Sequence, residues 1–135
     1  MPKTVDDLLA EARSTLERVT AQQARDELEL GALLVDVRTS EQRVEHGEIA
    51  GAIPIGLNVL EWRLDPASEW RIPSATDHDV RVIVFCQEGF SSSLAAARLQ
   101  SLGLHRATDV IGGFDAWRDA GLPIDAAERP SPWIE

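Results

Sequence analysis

Cysteine is almost missing from this chain: Cys86 is the only one among 135 residues, which excludes an internal disulfide framework. Histidine is sparse too, and His46, His78 and His105 stand far apart and outside any ligand spacing, so no metal site is expected. Cationic side chains are few. Thirteen Lys and Arg against 23 Asp and Glu give a net charge of −10, which repels a phosphate backbone and excludes nucleic acid as a partner. No apolar run approaches the ~18 residues of a membrane span. The first residues, Met1 to Asp7, turn acidic where a signal peptide would turn apolar, so the expected location is the cytoplasm, away from any membrane.

What is present is globular: 44% hydrophobic and 27% charged residues in a length that suits one domain, on the usual ~100–200 residues per domain. Val5, Leu8, Leu9, Ala12, Leu16 and Val19 recur at helical spacing, and Thr4 with Asp7 forms a capping box, predicting a helix from near residue 5 to Val19. Thr20 with Gln23 opens a second helix ending near Gly31. Leu33–Val37 reads as a buried strand, and Thr39-Ser40-Glu41 opens a further helix. Gly51–Ile55 is a weaker edge strand because of Pro54, and Asn58 is expected to cap a helix through Leu64. Val80–Phe85 is the strongest strand signal. After it come a helix from Ser91 to Leu102, a strand from Ala107 to Ile111 and a short helix from Phe114 to Ala120, with an irregular tail from Pro123. Alternating strands and helices predict an α/β fold: a mainly parallel central sheet with helices on both faces, and an extra N-terminal helix.

In such a sheet, ligands sit beyond the carboxyl ends of the strands, and Cys86 ends the strongest one. The segment from Cys86 through Gln87, Glu88, Gly89, Phe90 and Ser91 to Ser92 joins that strand to the alanine-rich helix. A short glycine-containing loop on a helix N-terminus can turn its N–H groups inward, which favours a thiolate and any anion brought to it. A lone cysteine also serves as a small buried hydrophobe, and the residues alone leave these two roles evenly matched.

Three segments carry a family resemblance. Leu34-Val35-Asp36-Val37-Arg38 with Gly47 to Pro54 resembles the amino-terminal signature of rhodanese-like domains. Cys86 to Ser92 resembles their active-site loop, and Gly112-Gly113-Phe114-Asp115-Ala116-Trp117 with Ala120 to Ile124 their carboxyl-terminal signature. The resemblance implies a rhodanese-like three-layer fold over residues 20–125, with residues 1–19 as an N-terminal helical extension and 126–135 as a C-terminal tail. It also implies sulfur transfer without a cofactor. Cys86 takes the sulfane sulfur of thiosulfate or a persulfide and passes it to a thiol or cyanide. The partners are then a small sulfur donor and a thiol acceptor, with a protein acceptor also open.

The loop departs from the family's commonest pattern, which has arginine five positions after the cysteine; this chain has Ser91 there and then Ser92. Glu88 adds negative charge and is expected to raise the thiol's pKa and disfavour a dianionic donor. The substrate-binding set is therefore expected to be Gln87, Glu88, Gly89, Phe90, Ser91 and Ser92, with Arg38 as the assisting cation. Asp36 is expected to organise backbone and loop hydrogen bonds. Arg63 is a second candidate cation, with a solvated helix position the favoured alternative. Phe114 and Trp117 read as core, and Trp62 and Trp70 could line a pocket mouth. The alternative functions are a protein-loaded persulfide carrier, or a redox-sensing or binding module without thiosulfate activity. Phosphatase or arsenate reductase chemistry is set aside because it needs an arginine fork where Ser92 stands.

Overall fold

A computed structural model describes residues 1–127 of the chain; the tail Pro130 to Glu135, whose Trp133 and Ile134 amid prolines leave open both clipping back onto the surface and docking a partner, lies outside them. Helices α1 (Val5–Arg13) and α2 (Ala21–Glu29) precede β1 (Leu33–Asp36), α3 (Ser40–His46) and β2 (Ile53–Pro54). A 3-10 turn (Leu57–Val59) leads into α4 (Leu60–Leu64), and β3 (Val82–Phe85), α5 (Ser91–Ser101), β4 (Thr108–Asp109) and α6 (Gly113–Asp119) follow. The four strands form one parallel sheet in the order β2-β1-β3-β4.

Side chains alternate across a strand, so β3 feeds two cores at once. Val82 and Val84, continued by Cys86, pack with Leu60 and Leu64 of α4 and Ala95, Ala96 and Leu99 of α5. Ile83 and Phe85 pack on the opposite face with Ala21 and Ala24 of α2 and Phe114 and Trp117 of α6. The result is the expected α/β architecture of three layers, with α1 as an addition packed on α5. Among the described residues, no helix is long and apolar enough to cross a membrane, and no three metal-ligating side chains gather.

Several boundaries differ from the sequence reading. The first helix ends at Arg13 rather than Val19. The Ser14 and Thr15 hydroxyls bond the carbonyls of Glu11 and Ala12, competing with helical turns. Val19 then pairs in parallel with Val110 at the sheet edge, taking Asp109's carbonyl at 3.1 Å and giving its own to Ile111 at 2.8 Å. Leu16 and Val19 are buried as expected, but in opposite cores, so a single helical face does not explain them. Asn58 caps nothing, since it lies inside the 3-10 turn and α4 starts without a side-chain cap. The outer strands β2 and β4 are two residues long, shorter than expected; Pro54 has no N–H and suits β2's place at the edge.

Candidate active site

Strand β3 delivers Cys86 to the carboxyl end of the sheet, and the loop from Gln87 to Phe90 returns the chain into α5. Two glycine positions make the turn possible. Gly89 has φ +92°, and a Cβ there would come within 2.7 Å of the Gly112 nitrogen. Gly113, with φ +60°, lies so close beneath the loop that a Cβ would overlap the Cys86 carbonyl oxygen. With both glycines in place, α6 presses its first amides against the loop: Phe114 N–H donates to the Cys86 carbonyl at 2.9 Å and Asp115 N–H to the Gln87 carbonyl at 3.0 Å.

Cys86 is 7% exposed, and its sulfur accepts the Gly89 N–H at 3.2 Å. Burial pushes the thiol up. Hydrogen bonds from the Ser92 and Ser91 hydroxyls and the Ser92 and Gly89 N–H groups outweigh it, and the thiol titrates below the ordinary cysteine range. The Ser92 hydroxyl has one proton for two acceptors, because it also donates to Asp109 Oδ2 at 2.8 Å. While the sulfur is protonated, the buried carboxylate is the stronger acceptor, and the sulfur relies on Ser91 and the backbone.

Glu88 corrects an expectation. Its side chain is exposed, and it is not among the groups that move the thiol, whose shift is downward rather than upward. Arg38 corrects another. Its side chain is fully buried, with Nε and Nη2 on the Asp36 carboxylate (3.0 and 2.9 Å), Nη2 also on the Gly47 carbonyl and Nη1 on Gln87 Oε1 (3.1 Å). Its carbon Cζ sits 4.0 Å from the Phe114 ring centre. Four of its five N–H groups are thus committed to protein, which leaves little to offer a donor. Asp36 receives that guanidinium and the Arg38 N–H, as an organiser of hydrogen bonds would.

Gln87 spans the site: Arg38 holds its oxygen, and its nitrogen donates to Asp115 Oδ1 at 2.7 Å. Its amide tethers the loop. An open pocket of about 300 Å³ faces the sulfur, walled by Thr39, Gln42 and Leu57 on one side and Glu88, Phe90 and Ser91 on the other. Arg63 is elsewhere, donating to the Trp70 carbonyl at 3.2 Å and lining a separate groove with Trp62 and Trp70. Those two tryptophans line that groove, not the one at Cys86. Phe114 and Trp117 are buried, as core residues should be.

Reading the sequence missed three groups behind the loop. Asp109, fully buried, accepts the Ser92 and Ser93 hydroxyls and the Arg18 guanidinium. Arg13 and Arg18 both donate to the Gly89 carbonyl, at 2.8 and 3.1 Å. One signal was available, because an aspartate inside an apolar strand must be paired to be buried. Nothing in the order of residues named the two arginines.

A parallel α/β domain that holds one cysteine in an amide-lined loop at the carboxyl end of its central strand is a well-defined class. The chain belongs to the rhodanese-like domain family, whose model matches residues 20–120. Thiosulfate sulfurtransferase GlpE of Haemophilus influenzae (strain PittEE) is 34% identical over 113 residues, 84% of this chain and 98% of the relative. A sulfurtransferase of Allochromatium vinosum is 33% identical over 96 residues, 71% of this chain and 80% of the relative. Among solved structures, a rhodanese-related protein from Thermoplasma volcanium superposes at TM-score 0.64 with 25% identity, over 82% of this chain and 98% of its own. A Rhodopseudomonas palustris protein of unknown function, described as a possible tyrosine phosphatase, superposes at TM-score 0.81 with 33% identity, over 93% and 99%. The named relatives support a rhodanese-type sulfurtransferase.

Proposed function

We propose that the protein moves sulfane sulfur through a persulfide on Cys86. The observation that carries this reading is the sulfur's setting: a thiol titrating below its ordinary range, with the Gly89 N–H on Sγ, at the mouth of an open pocket. The Cys86 thiolate attacks the outer sulfur of thiosulfate; the S–S bond breaks and sulfite leaves with its electron pair. An acceptor thiolate or cyanide then attacks the outer sulfur of the persulfide, giving an organic persulfide or thiocyanate and restoring the thiolate. Loop N–H groups stabilise the anionic sulfur at each stage, as fixed dipoles do for a developing charge. No cofactor is needed for these steps.

The donor is where a second reading enters. Arg38 borders the pocket, but its guanidinium is buried and neutralised by Asp36, so the pocket favours a donor less anionic than thiosulfate. A low-molecular-weight persulfide, or a protein that loads Cys86 directly, meets that condition. Phosphoryl transfer is poorly served: the sixth position after Cys86 is Ser92, and its hydroxyl points to a carboxylate.

Intact mass after incubation with thiosulfate, and separately with glutathione persulfide, tests the reading. The expected result is a gain of one sulfur in the wild type that is lost in Cys86→Ser. Gain from the persulfide alone selects the less anionic donor. No gain from either overturns the small-donor enzyme and leaves the protein-loaded carrier or the binding module.

A further inference from the structure

The loop can offer N–H groups to a sulfur only if its carbonyls point away, and the structure shows what takes four of them. The Cys86 and Gln87 oxygens are held by the first amides of α6, and the Phe90 oxygen by the Ser93 N–H at 3.1 Å. Gly89 differs from these three, since no backbone N–H donates to its oxygen. Its oxygen is held by two guanidinium groups, Arg13 Nη2 at 2.8 Å and Arg18 Nη2 at 3.1 Å. Both arginines precede residue 20, where the family match begins.

We propose that Arg13 and Arg18 are positioning residues of the Cys86 loop, gripping the Gly89 carbonyl so that residue 89 stays where its own N–H reaches the Cys86 sulfur. Holding that oxygen restrains rotation about the Gly89 backbone bonds, and so keeps the N–H of the same residue on the sulfur. Glycine at 89, at φ +92°, has the conformational freedom that makes a flipped peptide accessible, and a flip would turn a partial negative charge toward the site.

Each arginine is itself anchored to the base of the loop. Arg13 Nε donates to Ser93 Oγ at 3.1 Å, and its guanidinium lies 5.9 Å from the Phe90 ring centre. Arg18 Nε donates to Asp109 Oδ1 at 2.9 Å, and Asp109 in turn accepts the Ser92 and Ser93 hydroxyls in the first turn of α5. Neither arginine is among the groups acting on the thiol directly, so the influence passes through the peptide. On this account, the N-terminal extension completes the site.

The proposal rests on Cys86 being the reactive group, but its test does not need sulfur transfer. Cys86 is the sole cysteine, so iodoacetamide alkylation across a pH series reads that thiol alone. Arg13→Met is expected to move the alkylation midpoint upward and slow the reaction at neutral pH about fivefold, the worth of one net hydrogen bond. Arg13→Lys keeps a donor and is expected to recover part of the rate. Thr4→Ala removes the α1 capping box without touching the clamp and is expected to leave the midpoint in place. An unchanged midpoint in Arg13→Met, or an equal shift in Thr4→Ala, overturns the proposal. Should Arg13→Met fail to fold, Arg13→Lys against wild type decides: the lysine ammonium cannot reproduce the fork, so an identical profile overturns it as well. A wild type that gains no sulfur, by contrast, overturns the sulfurtransferase reading and leaves this measurement intact.

Discussion

Two arginine–aspartate pairs flank the Cys86 loop, and they differ in how far apart their partners lie in the chain. Arg38 and Asp36 are two residues apart; Arg18 and Asp109 are separated by 91. Both pairs reach the loop: Arg38 through the Gln87 side chain, Arg18 through the Gly89 carbonyl. Their exposure also differs. Both side chains of the first pair are essentially out of water, whereas the Arg18 side chain is 17% exposed beside a fully buried Asp109. The local pair is thus a closed unit made by one turn of chain after a strand. The distant pair is a joint, made only when the segment after α1 meets the end of β4.

The largest effect is expected at the closed pair. Arg38→Met leaves Asp36 buried without its cation, with only the residue 38 N–H on its carboxylate, and should cost about 3–5 kcal/mol in urea unfolding. Arg18→Met should cost less, about 1.5–3 kcal/mol, because its side of the joint is partly hydrated while Asp109 keeps both serine hydroxyls. If Arg18→Met proves the more costly, burial does not rank the two pairs and the comparison fails.

The pH dependence of stability sharpens the comparison, since both pairs contact the loop that carries the thiol. The folded thiol titrates below the unfolded value of ~8.5, so between the two values the unfolded state binds more protons. Stability from this group is therefore full above the unfolded pKa and lost as pH falls through the folded one. The difference in unfolding free energy between wild type and Cys86→Ser should rise with pH across that window, an effect smaller than losing either arginine. A flat difference contradicts the lowered thiol.

An exposed pair supplies the lower end of the scale. Arg98 Nε lies 2.8 Å from Glu61 Oε2, but the arginine side chain is 75% exposed. Arg98→Ala should change stability by less than ~0.5 kcal/mol, measured in the same urea titration. A larger cost would mean that distance, rather than burial, sets the worth of these ion pairs.

The sequence by itself determined the layers and the place of the cysteine. Apolar β-branched runs at Leu33–Val37 and Val80–Phe85 can only be strands buried on both faces, and the turn residues after Phe85 put Cys86 at the sheet's carboxyl end. The Asp36-x-Arg38 element was legible through the resemblance to the family's amino-terminal signature, which did not give the ion pair between the two. Tertiary structure alone decided where the N-terminal helix stops, what Arg38 does with its charge, and which groups stand behind the loop. Leu16 and Val19 continue a helical period yet enter opposite cores, because pairing of Val19 with Val110 outweighs one more turn of helix. Nothing in the order of residues linked Arg13 and Arg18 to Asp109 or to the loop. Their role exists only where α1, α5 and β4 converge, since a hydrogen bond is set by distance in space and the sequence records distance along the chain.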